Sequence, residues 1–152
     1  MAIITSDPNI RLKMGAVLLP DGSVYEGEWL NGMKDGDGTL ISPQGTRYDG
    51  QFVKDCYQGK GTLIFANGDT YTGDWVLDKK HGHGVHEHSD GFVFTGQFED
   101  DKEHGFGRNN WPDGSWYEGE YQYGQQHGKG SFVIMCESSK LFEYEGEWCE
   151  GK

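Results

Sequence analysis

Apolar and polar residues alternate along this chain with a period of two, in short runs broken by turn formers, which predicts strands rather than helices. In Tyr25-Glu26-Gly27-Glu28-Trp29 the two rings and the glycine share one face, and the glutamates take the other. Gly36-Asp37-Gly38-Thr39-Leu40 alternates in the same way, so the two runs read as the arms of a hairpin. Connections such as Pro20-Asp21-Gly22, Ala66-Asn67-Gly68, Ser89-Asp90-Gly91 and Pro112-Asp113-Gly114 lead to the next hairpin. A three-residue loop of this chemistry is a type I turn closed by a left-handed glycine. It sets a register: Leu40 opposite Tyr48, Gly38 opposite Gly50 and Gly36 opposite Phe52. Glycines then lie beneath rings, which offsets their weakness inside strands.

The whole phrase recurs. Tyr25, Tyr48, Tyr71, Phe94 and Tyr117 stand 23 residues apart, and Tyr144 follows after 27. The Gly-x-Gly pair returns at Gly59/Gly61, Gly82/Gly84, Gly105/Gly107 and Gly128/Gly130. A fixed period of this length marks stacked supersecondary units. The expected fold is all-β: a single-layer antiparallel meander of repeated β-hairpins with about eleven or twelve strands, each about 4.8 Å from the next. The expected organisation is a flexible segment at 1–12 and one repeat domain at 13–152. That domain has a partial leading copy at 13–24, copies starting at 25, 48, 71, 94 and 117, and a truncated copy at 144–152. Open terminal strands are templates for pairing, so a homo-oligomer through the sheet ends is compatible with this design.

The phrases YEGEW at 25–29 and EYEGEW at 143–148, with HGHG at 81–84, EHGFG at 103–107 and QHGKG at 126–130, resemble the MORN repeat over roughly residues 13 to 152. The resemblance implies the single-layer strip. It says less about function, because the module is attached to many unrelated tasks. Short MORN proteins resemble scaffold subunits of cytoskeletal assemblies, cilia and flagella among them, while relatives such as junctophilins suggest membrane contact. Other relatives carry kinase or methyltransferase domains, and no motif for such an activity is found here.

Composition narrows the choice. With 25 glycines, 14% aromatic and 34% hydrophobic residues, the chain suits a thin sheet whose rings cover its own backbone better than a two-layer core. A net charge of −12 argues against nucleic acid and anionic lipid as partners, since both need a basic footprint. Cys56, Cys136 and Cys149 are odd in number and form no C-x-x-C, so neither a disulfide framework nor a structural zinc site is expected, and a reducing compartment fits. The first residues show no leader or lipid-anchor pattern. With no G-x-S-x-G, no P-loop and no Cys/His nucleophile pair, no enzyme and no cofactor are expected. Glu26, Glu28, Asp49, Asp74, Glu118, Glu120, Glu145 and Glu147 read as a solvated face.

The candidate site lies on the aromatic face, expected to stay partly exposed as a groove lined by Trp29, Phe52, Trp75, Phe98, Trp111, Tyr121 and Trp148. Departures from the repeat concentrate in the third and fourth copies, where His86, His88 and Asn109 replace aliphatics beside Trp111 and suggest a polar pocket. His86 and His88 share a face and stand near Asp69, a conceivable weak metal site, but with no fourth ligand or supporting shell in the sequence no metal is assigned. His81, His104 and His127 recur at roughly 10 Å, too far apart to share an ion. A four-residue insertion within Cys136–Glu143 is expected to lengthen the turn before Tyr144. The expected function is a non-catalytic scaffold that takes a basic or helical segment of a protein partner, in a cytoplasmic, cytoskeleton-associated or ciliary setting. A membrane-contact or phospholipid-binding module is the alternative.

Overall fold

The computed structural model describes residues 9–152. Twelve strands follow one another: β1 (Leu12–Leu18), β2 (Val24–Leu30), β3 (Met33–Ile41), β4 (Arg47–Val53), β5 (Cys56–Ile64), β6 (Thr70–Val76), β7 (Lys79–Glu87), β8 (Val93–Glu99), β9 (Lys102–Asn110), β10 (Trp116–Gln122), β11 (Gln125–Cys136) and β12 (Ser139–Trp148). Their order in the sheet is their order in the chain, giving one open all-antiparallel layer. Most of the flexible segment expected at 1–12 lies outside the described residues. Within it, the Arg11 guanidinium donates to Asp35 Oδ1 at 2.5 Å.

Register follows the turns. β3 meets β4 with Leu40 opposite Tyr48, Gly38 opposite Gly50 and Gly36 opposite Phe52. The loops between copies carry the expected bonds: Gly22 N–H donates to Leu19 C=O at 3.0 Å, and Leu19 N–H donates to Ser23 C=O at 2.8 Å. Within each copy the hairpin closes in two residues with positive φ, as at Asn31 (52°) and Gly32 (76°), or Leu77 (48°) and Asp78 (67°). Successive tips dock on one another. Asp55, Asp78 and Asp101 each donate their N–H to a carbonyl of the preceding tip and accept an N–H from the same residue through the side chain, that residue being Lys34, Tyr57 and Lys80 respectively.

One glycine per strand forms a row across the sheet, from Gly27 opposite Gly38 through to Gly130 opposite Gly146. A Cβ at Gly61 would stand 2.5 Å from Tyr48 Cζ, and one at Gly84 2.6 Å from Tyr71 Cζ, so the rings lie on bare backbone. The other glycine of each Gly-x-Gly pair has a different task. Gly36 takes φ 105° and leaves room for the Glu28 carboxylate.

A bulge recurs one residue beyond the row, between Gly27 and Trp29, Gly50 and Phe52, and Gly73 and Trp75. It explains two repeated bonds. The extra residues stand on the facing strand, where Asp35, Gly36 and Asp37 lie against Glu28 alone. The carbonyl of that lone residue accepts the ring hydroxyl three residues back: Tyr25 to Glu28 at 2.8 Å, Tyr48 to Gln51 at 3.0 Å, Tyr71 to Asp74 at 3.0 Å and Tyr117 to Glu120 at 3.1 Å. Its side chain accepts a backbone N–H from the middle of the facing Gly-x-Gly: Glu28 from Asp37 at 2.6 Å, Gln51 from Lys60 at 3.0 Å, Asp74 from His83 at 3.1 Å and Glu120 from Lys129 at 2.7 Å. Glu28, Asp74 and Glu120 are therefore structural acceptors, which corrects their reading as a merely solvated face.

The core is a single line of rings. Each first ring is wedged edge-on between the second ring of its own copy and that of the next. Tyr25 meets Trp29 at 5.0 Å and Phe52 at 5.2 Å, Tyr71 meets Trp75 and Phe98 at 5.0 Å each, and Phe94 meets Phe98 and Tyr121 at 5.1 Å each. Such pairs are worth about 0.5–1.5 kcal/mol each beyond their buried area. Burial pushes the Tyr25 and Tyr117 phenols up to about 12, keeping both as neutral donors.

The insertion lengthens strands, not a turn. Glu137 and Ser138 form a two-residue tip, and β11 and β12 extend to twelve and ten residues. A two-residue tip lets most of the added residues pair, with Cys136 opposite Ser139 and Met135 opposite Lys140, while Leu141 bulges out of register.

Candidate functional site: a half-buried ring track beside a closed core

The aromatic face is less open than the sequence suggests. Phe52, Trp75, Phe98 and Tyr121 are 1, 2, 3 and 5% exposed, so these four do not line an open groove. Edge-on rings from consecutive copies close over one another, and a single layer buries its own aromatics. Trp75 also donates its indole N–H to Gly61 C=O at 3.1 Å. Trp29, at the start of the line, and Trp148, at its end, remain half-buried.

A second row of rings stays half-buried along the loop edge of the same face. It is continuous from Phe65 to His86 (6.2 Å), His86 to His88 (4.3 Å), His88 to Phe92 (4.9 Å), Phe92 to Trp111 (5.6 Å), Trp111 to Phe132 (5.8 Å) and Phe132 to Trp148 (6.1 Å). The track thus joins the predicted residues His86, His88, Trp111 and Trp148. Asn109 lies next to it, 9% exposed, with its Oδ1 buried and unpartnered. Phe65, Phe92 and Phe132 were missed as site residues. Phe92 left a legible signal, since it follows a turn glycine where the other copies place Ser23, Thr46, Asp69 and Ser115.

The polar centre of the track is the third copy. His86 and His88 stack with ring planes 30° apart, and burial pushes the His86 imidazole down to about 4, with the Lys80 charge adding to it. His86 Nε2 is buried without a partner among the described residues. Lys80 Nζ lies 5.1 Å from the centre of the Tyr71 ring, 5.6 Å from Phe65 and 5.8 Å from Phe98, a cation over three π faces. Burial lowers the Lys80 pKa, against the pull of Asp101 and Glu103. Nitrogens of His86 and His88 and a carboxylate oxygen of Asp69 lie within 4.8 Å of one another.

These features define a class: an open repeat strip with a sealed aromatic line and a half-buried row of rings along one edge. The MORN repeat matches at residues 25–47, 48–70, 71–93, 94–116 and 117–134, and the chain belongs to the MORN repeat family. Such repeats are generally protein- or membrane-interaction modules, and the family is typically non-enzymatic. No curated protein matches the chain. Among solved structures it is similar to a catalytically inactive virginiamycin B lyase from Staphylococcus aureus with quinupristin, at 13% identity and a TM-score of 0.21. That match covers 97% of this chain and 45% of the lyase chain, so the protein spans less than half of that structure.

Proposed function

We propose that the protein is a non-catalytic scaffold that binds a protein partner along the ring track from Phe65 to Trp148. The continuity of that track carries the reading: rings in mutual contact, packed on the core by one side and half-buried, present a contiguous apolar area to a partner. The charge of −12 favours a basic segment and speeds its encounter, and it opposes an anionic membrane surface. Family resemblance adds the setting, a cytoplasmic cytoskeletal or ciliary assembly. The sheet's paired hairpins supply a stiff platform across which an extended or helical segment lies, with Trp111 as the central anchor.

The test is affinity purification from native cells with wild type and with Trp111→Ala/Phe132→Ala, followed by mass spectrometry. Cytoskeletal or axonemal proteins captured by wild type and lost in the variant, with the variant still folded in thermal melting, support the reading. An unchanged set of proteins overturns it. Co-sedimentation with anionic vesicles at low salt would instead favour membrane contact.

A further inference from the structure

We propose that Asp69, His86 and His88 form a binding site for a divalent first-row transition metal ion such as Zn2+, with two imidazole nitrogens and one carboxylate oxygen as protein ligands and water completing the shell. This goes beyond the scaffold reading and does not depend on it.

Three residues that break the repeat converge on one point. At the position of Asp69 the other copies carry Ser23, Thr46, Phe92 and Ser115; at His86, Leu40, Leu63, Asn109 and Phe132; at His88, Leu19, Ser42, Phe65 and Trp111. Sheet register brings them together. Tyr71 faces His86 and Thr70 faces Glu87, so one step further along Asp69 faces His88. His86 and His88 are two residues apart on one strand line and therefore project from the same face.

The carboxylate is already oriented. Asp69 Oδ1 accepts the Ser89 N–H at 2.9 Å, which repeats what Ser115 Oγ does for the Met135 N–H at 3.0 Å two copies later. A serine suffices for that structural bond. The aspartate brings one oxygen more, and Asp69 Oδ2 accepts from the Asn67 amide at 3.1 Å and points at His88 Nδ1 at 3.6 Å. That separation is too long for a hydrogen bond. It is close to the roughly 3.3 Å between two ligands each about 2.0–2.1 Å from a tetrahedral ion. The Ser89 N–H and the Asn67 amide thus form the supporting shell that a ligating carboxylate needs.

The third ligand is His86, which offers a ring nitrogen within 4.8 Å of the other two ligand atoms and whose buried Nε2 has no partner among the described residues. A buried nitrogen lone pair or N–H without a partner is a cost that coordination removes. Carboxylate, imidazole and water suit Zn2+ and its neighbours better than Ca2+ or Mg2+, which prefer all-oxygen shells. Lys80 opposes a cation here, and Asp101 and Glu103 offset its charge.

Titration calorimetry of the purified chain with ZnCl2, in a background where Cys56, Cys136 and Cys149 are serine, tests the site. One ion per chain is expected. Asp69→Ser, His86→Leu and His88→Phe should each weaken binding by about tenfold or more, while His81→Ala and His127→Ala leave it unchanged. Each of the three substitutions installs a residue that another copy already carries, so the fold should hold. An independent reading on the unmutated triad is the NMR of the histidine rings, where His86 and His88 signals should shift together and saturate. Absence of saturable heat, survival of the site in His86→Leu/His88→Phe, or ring shifts confined to other histidines would overturn the proposal.

Discussion

Two rows of rings share one face of this sheet and differ in what covers them. The inner row, Tyr25 to Tyr117 with Phe52, Trp75, Phe98 and Tyr121 between, is sealed because every first ring is clasped by second rings of two copies. The outer row, Phe65 to Phe132, lies at the loop edge and stays half-buried although its rings also touch from copy to copy. Tyr144 shows the rule from the other side. Among the described residues it touches Trp148 alone of the second rings and is 40% exposed, against 0% for its equivalents. Sealing is thus a property of neighbours, and the difference separates a row that is fully buried from one that stays half-buried.

The sharpest way to break that comparison is Trp75→Ala. It removes a ring clasped by Tyr48 and Tyr71 and the bond to Gly61, and should cost about 3–5 kcal/mol in chemical denaturation. Gly61→Ala drives a methyl into the Tyr48 ring, and about 1–3 kcal/mol of destabilisation is expected in the same assay. Tyr48→Phe deletes one of the repeated hydroxyl bonds and should cost about 0.5–1.5 kcal/mol. Phe94 is the one core position of the series without a hydroxyl, so Phe94→Tyr should add the bond to Gln97 C=O and raise stability by a comparable amount; a loss on thermal melting would show that this copy is packed differently. Trp111→Ala belongs to the outer row, packed on the core by one side only, and should cost about 1–2 kcal/mol, less than Trp75→Ala, while abolishing partner capture.

Much of the fold was legible before any coordinates. Glycines, turns and alternation specify pairing locally, and the three-residue loop sets which residues face each other, so the register of β3 and β4 could be read from Pro43-Gln44-Gly45 and its neighbours. The site was legible in part. His86, His88, Asn109 and Trp111 stood out by departing from the repeat, and the structure places them on or beside the track. Trp75, Phe98 and Tyr121 looked equally good as anchors, because a sequence shows which face a ring takes but not whether a ring 23 residues away will cover it.

The repeat period, the strand order and the register across the three-residue loops were determined by the sequence alone, since each follows from local steric rules and short connections. Which rings are buried, which carboxylates cap backbone N–H groups at the bulges, and that Asp69 meets His86 and His88 were decided by the tertiary structure. These depend on distances between neighbouring copies, which the bulge and the sheet set and no single copy contains.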